Sequence, residues 1–127
     1  MPIDDADQII ADLRAGRAND IVVLAVPSHT KENQPVSNQS MWAEEALSLF
    51  ADLYGGATAF AAFKGVYVDS TGNKLWDNPI LVESLAERSN VEDRIRLKKL
   101  LAFALRMKTH LRQDAVMIVF NDLARFV

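Results

Sequence analysis

The sequence contains no cysteine. That excludes a disulfide framework, thiolate metal sites and a cysteine nucleophile, and it suits a reducing compartment. Histidine is nearly as scarce. His29 and His110 are the only two, with no His-x-x-x-His pair and no cluster of ligand-type acids, so no metal site is expected. A paired-histidine phosphoesterase would need two His-x-Thr or His-x-Ser motifs, which Ser28-His29-Thr30 and Thr109-His110-Leu111 do not supply. Neither Gly-x-Gly-x-x-Gly nor a P-loop is present, and nothing in the residues calls for a cofactor. Long apolar runs are also missing. The longest, Ile21 to Pro27, falls far short of the roughly 20 residues that span a bilayer. The start, Met1-Pro2-Ile3-Asp4-Asp5-Ala6-Asp7, is acidic where a secretory leader would be basic. The expectation is a cytoplasmic protein with no membrane partner.

What is present is a core. The chain has 127 residues, half of them hydrophobic, enough to fold as one α+β domain over residues 1–127 without a metal or disulfide. Asp4 to Arg17 reads as a short helix with Ile9, Ile10 and Leu13 in its apolar stripe and Gly16 near its end. Ile21 to Val26 is β-branched and wholly apolar, the pattern of a central strand buried on both faces. Ser28 to Gln39 is a polar loop. Ser40 reads as an N-cap, Trp42, Ala46, Leu49, Phe50 and Leu53 give helical spacing, and Gly55-Gly56 is a C-cap rather than a phosphate cradle. Thr58–Val68 and Lys74–Ser84 read as two strands around the turn Asp69–Asn73, with Asn78-Pro79 as a break in the second. Ser89-x-x-Glu92 is a capping box opening a helix that runs to Arg112, with Leu97, Leu100, Ala104, Met107 and Leu111 facing inward. Ala115–Phe120 is a further strand, and Leu123–Val127 a short final one after the Asn121-Asp122 turn.

The middle of this order is βαββαβ, the ferredoxin-like pattern with an antiparallel sheet, here with an extra N-terminal helix and a short C-terminal strand. Its first and third strands are central, and those are the apolar runs Ile21–Val26 and Ile80–Val82. Two amphipathic helices cover one sheet face. The other needs the N-terminal helix or a second subunit, and the short helix with few large side chains favours an isologous sheet-to-sheet dimer.

The series Leu49-Phe50-x-x-Leu53-Tyr54-Gly55-Gly56-Ala57-Thr58, Gly65-Val66-Tyr67-x-Asp69-x-x-Gly72, Val82-Glu83 and Gln113-x-Ala115-Val116 resembles a bacterial family of small, uncharacterised ferredoxin-like α+β proteins. It spans residues 49–116. Its motifs are glycines and apolar positions, so the resemblance implies a fold and carries no catalytic residue onto the chain.

Charge is distributed unevenly. The net charge is -3, yet residues 94–112 hold half of the 14 Lys and Arg and no acid. Off the apolar face of that helix, Arg94, Lys98, Lys108 and Arg112 form one stripe, and Lys99, Arg106, Arg96 and His110 another. This reads as a site for an anionic partner, nucleic acid included. The competing reading is a solvated face that complements the helix dipole and balances Glu44, Glu45 and Asp52 of the helix over 41–53.

Two residues carry the enzymatic alternative. His29 follows a buried strand and titrates near pH 6.5 when unperturbed, as a general base would, with Glu83 or Glu32 to orient it. Glu83 interrupts the apolar strand Ile80–Leu85, with Lys64 or Arg88 as structural partners. The sequence therefore supports three readings. The first is a non-catalytic, dimeric binding module with a basic helix over 94–112. The second is a small hydrolase using His29. The third is an assembly component acting through an apolar sheet face.

Overall fold

The computed structural model of the chain describes residues 3–12 and 20–127. Helix α1 covers Ile3–Asp12; the stretch from Leu13 to Arg17 lies outside the described residues. Strand β1, Asp20–Val26, is the centre of a five-stranded antiparallel sheet. On one side it pairs with β5, Ile80–Ala86, from Asp20↔Ala86 to Val26↔Ile80. On the other it pairs with β6, Met117–Phe120, at Val23↔Val119 and Leu24↔Ile118. The edges are β2, Thr58–Ala61, against β5, and β7, Leu123–Phe126, against β6. With helices α2, Gln39–Tyr54, and α4, Arg94–His110, as the crossovers, the order β2-β5-β1-β6-β7 is the ferredoxin-like sheet extended by one C-terminal strand.

The apolar run 21–26 takes the middle because a strand without polar alternation loses least where it has neighbours on both edges. Its even-numbered residues Val22, Leu24 and Val26 are fully buried, and Val82, Ala86 and Ile118 join them on the same sheet face. Helix α2 lays Trp42, Ala46, Phe50 and Leu53 on that face, and α4 adds Leu100, Phe103, Ala104 and Met107. Burying each of the large side chains contributes roughly 1.5–3 kcal/mol. Trp42 meets Phe103 edge-on at 5.6 Å, which joins the two helices. Gly55 ends α2 in the left-handed region at φ 92°, donating its N–H to Ala51, as a glycine C-cap does.

Three boundaries differ from the sequence expectation. Helix α2 starts at Gln39 rather than after Ser40. The Gln39 side chain donates to the carbonyls of Val26, at 3.2 Å, and Asn78, at 2.9 Å, fixing where the helix begins. The helix expected from Ser89 is broken into α3, Arg88–Glu92, and α4. Asp93 interrupts it because its carboxylate accepts the N–H of Arg96 at 2.9 Å, which makes Asp93 the true N-cap of α4.

The third difference is the largest. Each of the two long strands splits, the second at the expected Asn78-Pro79 break and the first without such a signal. Gly65–Val68 (β3) and Lys74–Asp77 (β4) pair with each other and form a separate two-stranded sheet. Pro79 has no N–H for a ladder, so the second strand breaks at Asn78-Pro79. The root of this arm is fastened by Ala62 N–H to the carbonyl of Pro79, at 2.9 Å, and by the Asn78 side chain to the carbonyl of Phe63. At its tip the Asp69 carboxylate accepts from the N–H groups of Thr71 and Asn73, both at 2.9 Å, and from the Thr71 hydroxyl. These bonds hold its carboxyl below the usual carboxylate range. Gly72, at φ 86°, completes the turn.

Candidate functional site at the end of the central strand

β1 and β5 are antiparallel neighbours, so the end of β1 lies beside the start of β5. This brings the loop after Val26 against the Asp77-Asn78-Pro79 corner. Asp77 is only 4% exposed. Its carboxylate accepts the Ser28 N–H at 2.8 Å, the Ser28 hydroxyl, and the Tyr67 hydroxyl at 2.6 Å. A buried carboxylate needs such donors to be tolerated. The Ser28 oxygen in turn accepts the Asn78 N–H at 2.8 Å and lies 2.7 Å from His29 Nδ1.

Donor arithmetic then sets the tautomer. The Ser28 proton is committed to Asp77, so its oxygen can only accept, and His29 Nδ1 must be the donor. Nε2 of the neutral ring is left as the base. His29 Nδ1 also stands 3.9 Å from an Asp77 oxygen. The loop holds the ring in place: His29 and Pro35 form a β-bridge, Val36 N–H reaches the Ser28 carbonyl at 2.8 Å, and the Gln113 side chain donates to the His29 carbonyl at 2.7 Å. Burial and the bond to Asp77 raise the Tyr67 hydroxyl well above the ordinary tyrosine range. A histidine with a positioned ring and a free nitrogen beside a buried carboxylate can move a proton.

The carboxylate beside His29 is thus Asp77. Glu32 is bonded to Arg112, whose guanidinium holds its carboxyl down to about 2. Glu83 lies on the outer sheet face, opposite Val23 of β1 and Thr58 of β2. It lines a cavity of about 300 Å³ with Tyr54, Gly55, Gly56, Ala57, Thr58 and Leu85. Burial pushes the Tyr54 hydroxyl up to about 12. Lys64 stands over the rings of Phe63 and Trp76, at 5.8 and 5.6 Å, not on Glu83. Asp77 could have been found from the sequence by carrying the topology one step further, since antiparallel first and third strands oblige residues 28 and 77 to meet.

The basic helix divides into two sets. Arg106 bonds Glu45 and stacks over Trp42 and Phe103, at 4.9 and 5.3 Å. Arg96 donates to the Leu53 carbonyl at 3.0 Å and pairs with Asp93, and Arg112 is taken by Glu32. The side chains of Arg94, Lys98, Lys99 and Lys108 make no hydrogen bond or ion pair among the described residues. The groove between α2 and α4, about 500 Å³, is lined by Glu45 and Asp52 as well as by Lys99 and Arg106, so it is of mixed charge. Among the described residues no group of three or more His, Asp or Glu could hold a metal ion, and no helix is long and apolar enough to cross a membrane.

No family model and no curated protein matches the chain. The fold, however, has counterparts among solved structures. A phage SAM lyase in complex with S-methyl-5'-thioadenosine superposes with a TM-score of 0.63 at 11% identity, over 88% of this chain and 91% of that one. The phage SAM lyase in its apo state gives 0.64 at 12%, over 88% and 90%. At such identity the likeness shows a shared fold. The divalent ion tolerance protein CutA1 from Ehrlichia chaffeensis also aligns, over 85% of this chain and 84% of that one, at 14% identity and a TM-score of 0.43.

Proposed function

We propose that this chain, one domain over residues 1–127, is a non-catalytic binding module that works as a homo-oligomer through the outer face of its sheet. The observation that carries the reading is the chemistry of that face. It presents Ile21, Phe60, Leu81, Leu85, Val119 and Phe126, with Leu85 64% and Phe126 69% exposed. A contiguous apolar surface of this kind on a folded protein marks an interaction site. Arg94, Lys98, Lys99 and Lys108 are then the part of α4 that would meet an anionic partner. The test is solution mass by light scattering across a wide concentration range. The wild type runs above monomer mass, and Leu85→Asp or Phe126→Asp returns it to monomer while its circular dichroism is unchanged. A wild type that stays monomeric throughout refutes the reading.

A second reading is enzymatic, and two observations favour it: His29 joined to Asp77 through Ser28, and a fold shared with a SAM lyase. In this reading His29 Nε2 is the base, and SAM is the first substrate to try. Release of S-methyl-5'-thioadenosine by the wild type, lowered about 10²–10⁴-fold in His29→Gln as expected for loss of a general base, supports it. No release, or release that His29→Gln leaves unchanged, removes His29 from the reaction.

A further inference from the structure

A second apolar surface also lacks a partner among the described residues. The arm formed by β3 and β4 has two sides, because cross-strand neighbours share a face. The side carrying Tyr67 is turned to the Asp77 network. The opposite side carries Lys64, Val66, Val68, Lys74 and Trp76, in register Val66↔Trp76 and Val68↔Lys74. It is open: Val68 is 65% and Trp76 52% exposed, and Phe63 at the root is 90% exposed. An isolated two-stranded hairpin is marginal in water and gains stability from packing against something else. Here its apolar side faces solvent.

We infer that the arm of one copy lies on the outer sheet face of a second copy, with Lys64 entering the cavity that Glu83 lines. Three features of the chain point to this occupant. The arm's open side carries two lysines and no acid, whereas the sheet face carries one charged side chain, Glu83. Glu83 makes no hydrogen bond or ion pair among the described residues, so its carboxylate has no counter-charge on a face otherwise apolar. Lys64 is set over two aromatic rings, which directs its ammonium to the arm's open side, where an interface would bring it to a carboxylate. The third feature is area. The open parts of Phe63 and Trp76 amount to about one and a half aromatic side chains, on the order of 300 Å². With the arm valines the open side supplies somewhat over half of the ~800 Å² per partner of a standard interface.

Every copy offers both an arm and a face. The contact can therefore close on itself, as a two-fold exchange of arms or as a ring, wherever its rotation allows closure. This rests on the reading that the outer face is an interface between copies, and adds what occupies it: an arm-on-face contact in place of sheet against sheet.

Charge reversal tests it by the dissociation constant of the oligomer. Lys64→Glu and Glu83→Lys each raise that constant at least tenfold, and the double variant Lys64→Glu/Glu83→Lys returns it to within about threefold of the wild type. Trp76→Asp, on the arm alone, weakens association as strongly as Leu85→Asp on the face. Circular dichroism of each variant controls for folding. If Leu85→Asp dissociates the oligomer but Trp76→Asp and the single reversals do not, the interface is sheet on sheet and the inference is overturned while the oligomer stands. If the double variant is as weak as the singles, the Lys64–Glu83 pair is refuted. A wild type that is monomeric at every concentration overturns both the inference and the reading beneath it.

Discussion

Replacing Asp77 by Ala should cost this protein about 3 kcal/mol. The side chain is buried and accepts three hydrogen bonds, two from Ser28 and one from Tyr67. A hydrogen bond to a charged group is worth about 1.5–3 kcal/mol net, and a buried donor left without an acceptor costs about 1–3 kcal/mol. The full sum is not reached, because Ser28 is half-buried and Tyr67 is more than half exposed, so water can serve their freed donors. For a chain of this length, about 3 kcal/mol lowers Tm by roughly 10–15 °C. Asp77→Asn keeps an oxygen for Ser28 and loses the charge, for about half that cost. The informative assay is a double-mutant cycle by thermal unfolding with Tyr67→Phe. Tyr67→Phe alone should cost about 1 kcal/mol in the wild type and close to nothing in Asp77→Ala, a coupling near 1 kcal/mol. A Tm fall of less than about 3 °C in Asp77→Ala, or a Tyr67→Phe cost that is the same in both backgrounds, would refute the view that this carboxylate fastens the arm to the sheet.

Two further outcomes follow from charges already placed. Tyr54 and Tyr67 are the only tyrosines, and both are raised above the ordinary value near 10. Their contribution to stability is fully present below about pH 10 and is lost as pH rises through the folded-state values, because the unfolded chain then sheds protons that the folded one keeps. An alkaline titration should show tyrosinate absorbance appearing only with unfolding, and tyrosines that ionise near pH 10 in the folded protein would contradict it. Four cations of α4 lack a partner among the described residues, so polyanion binding, measured by oligonucleotide anisotropy at two salt concentrations, should have a log–log salt slope no steeper than about −4. A steeper slope would mean that Arg106 or Arg112 leaves its carboxylate to join the contact.

Much of the architecture is legible in the residues, and for a common reason. Ile21–Val26 and Ile80–Val82 are central, as their lack of polar alternation implies, but the expected burial on both faces is not met: Val22, Leu24, Val26 and Val82 are buried while Ile21 on the outer face is 48% exposed. The α2 and α4 stripes at Phe50, Leu53, Leu100, Ala104 and Met107 repeat at the helical period, and the Gly55 cap announces itself. What escapes is local competition. Asp93 takes the Arg96 N–H and cuts a helix that Ser89 and Glu92 seemed to open, since both patterns satisfy a capping rule and only tertiary packing decides between them. Residues 58–68 carry strand chemistry from end to end, and residues 74–84 do so on both sides of Asn78-Pro79. Their division into sheet and arm depends on one proline and on where the partner strand stops. The Asp77 site is missed because Glu32 and Glu83 are nearer in sequence to recognisable features. Glu32 shares the loop of His29, and Glu83 interrupts an apolar strand. Asp77 meets His29 only through the antiparallel pairing of β1 with β5.

The position of β1 has a consequence for how the chain is made. Val23 waits for Glu83 on one side and for Val119 on the other. At about 5–20 residues per second, the second partner leaves the ribosome roughly 5–20 s after Val23 does. The arm, by contrast, closes within residues 65–77 and can pair as soon as it emerges. The order of synthesis therefore inverts the order of burial. The most water-averse segment spends longest without neighbours, and the most exposed hairpin is the first to find its own. During that interval Ile21–Val26 is the stretch a nascent-chain chaperone would hold, and its release is tied to the arrival of the last strands.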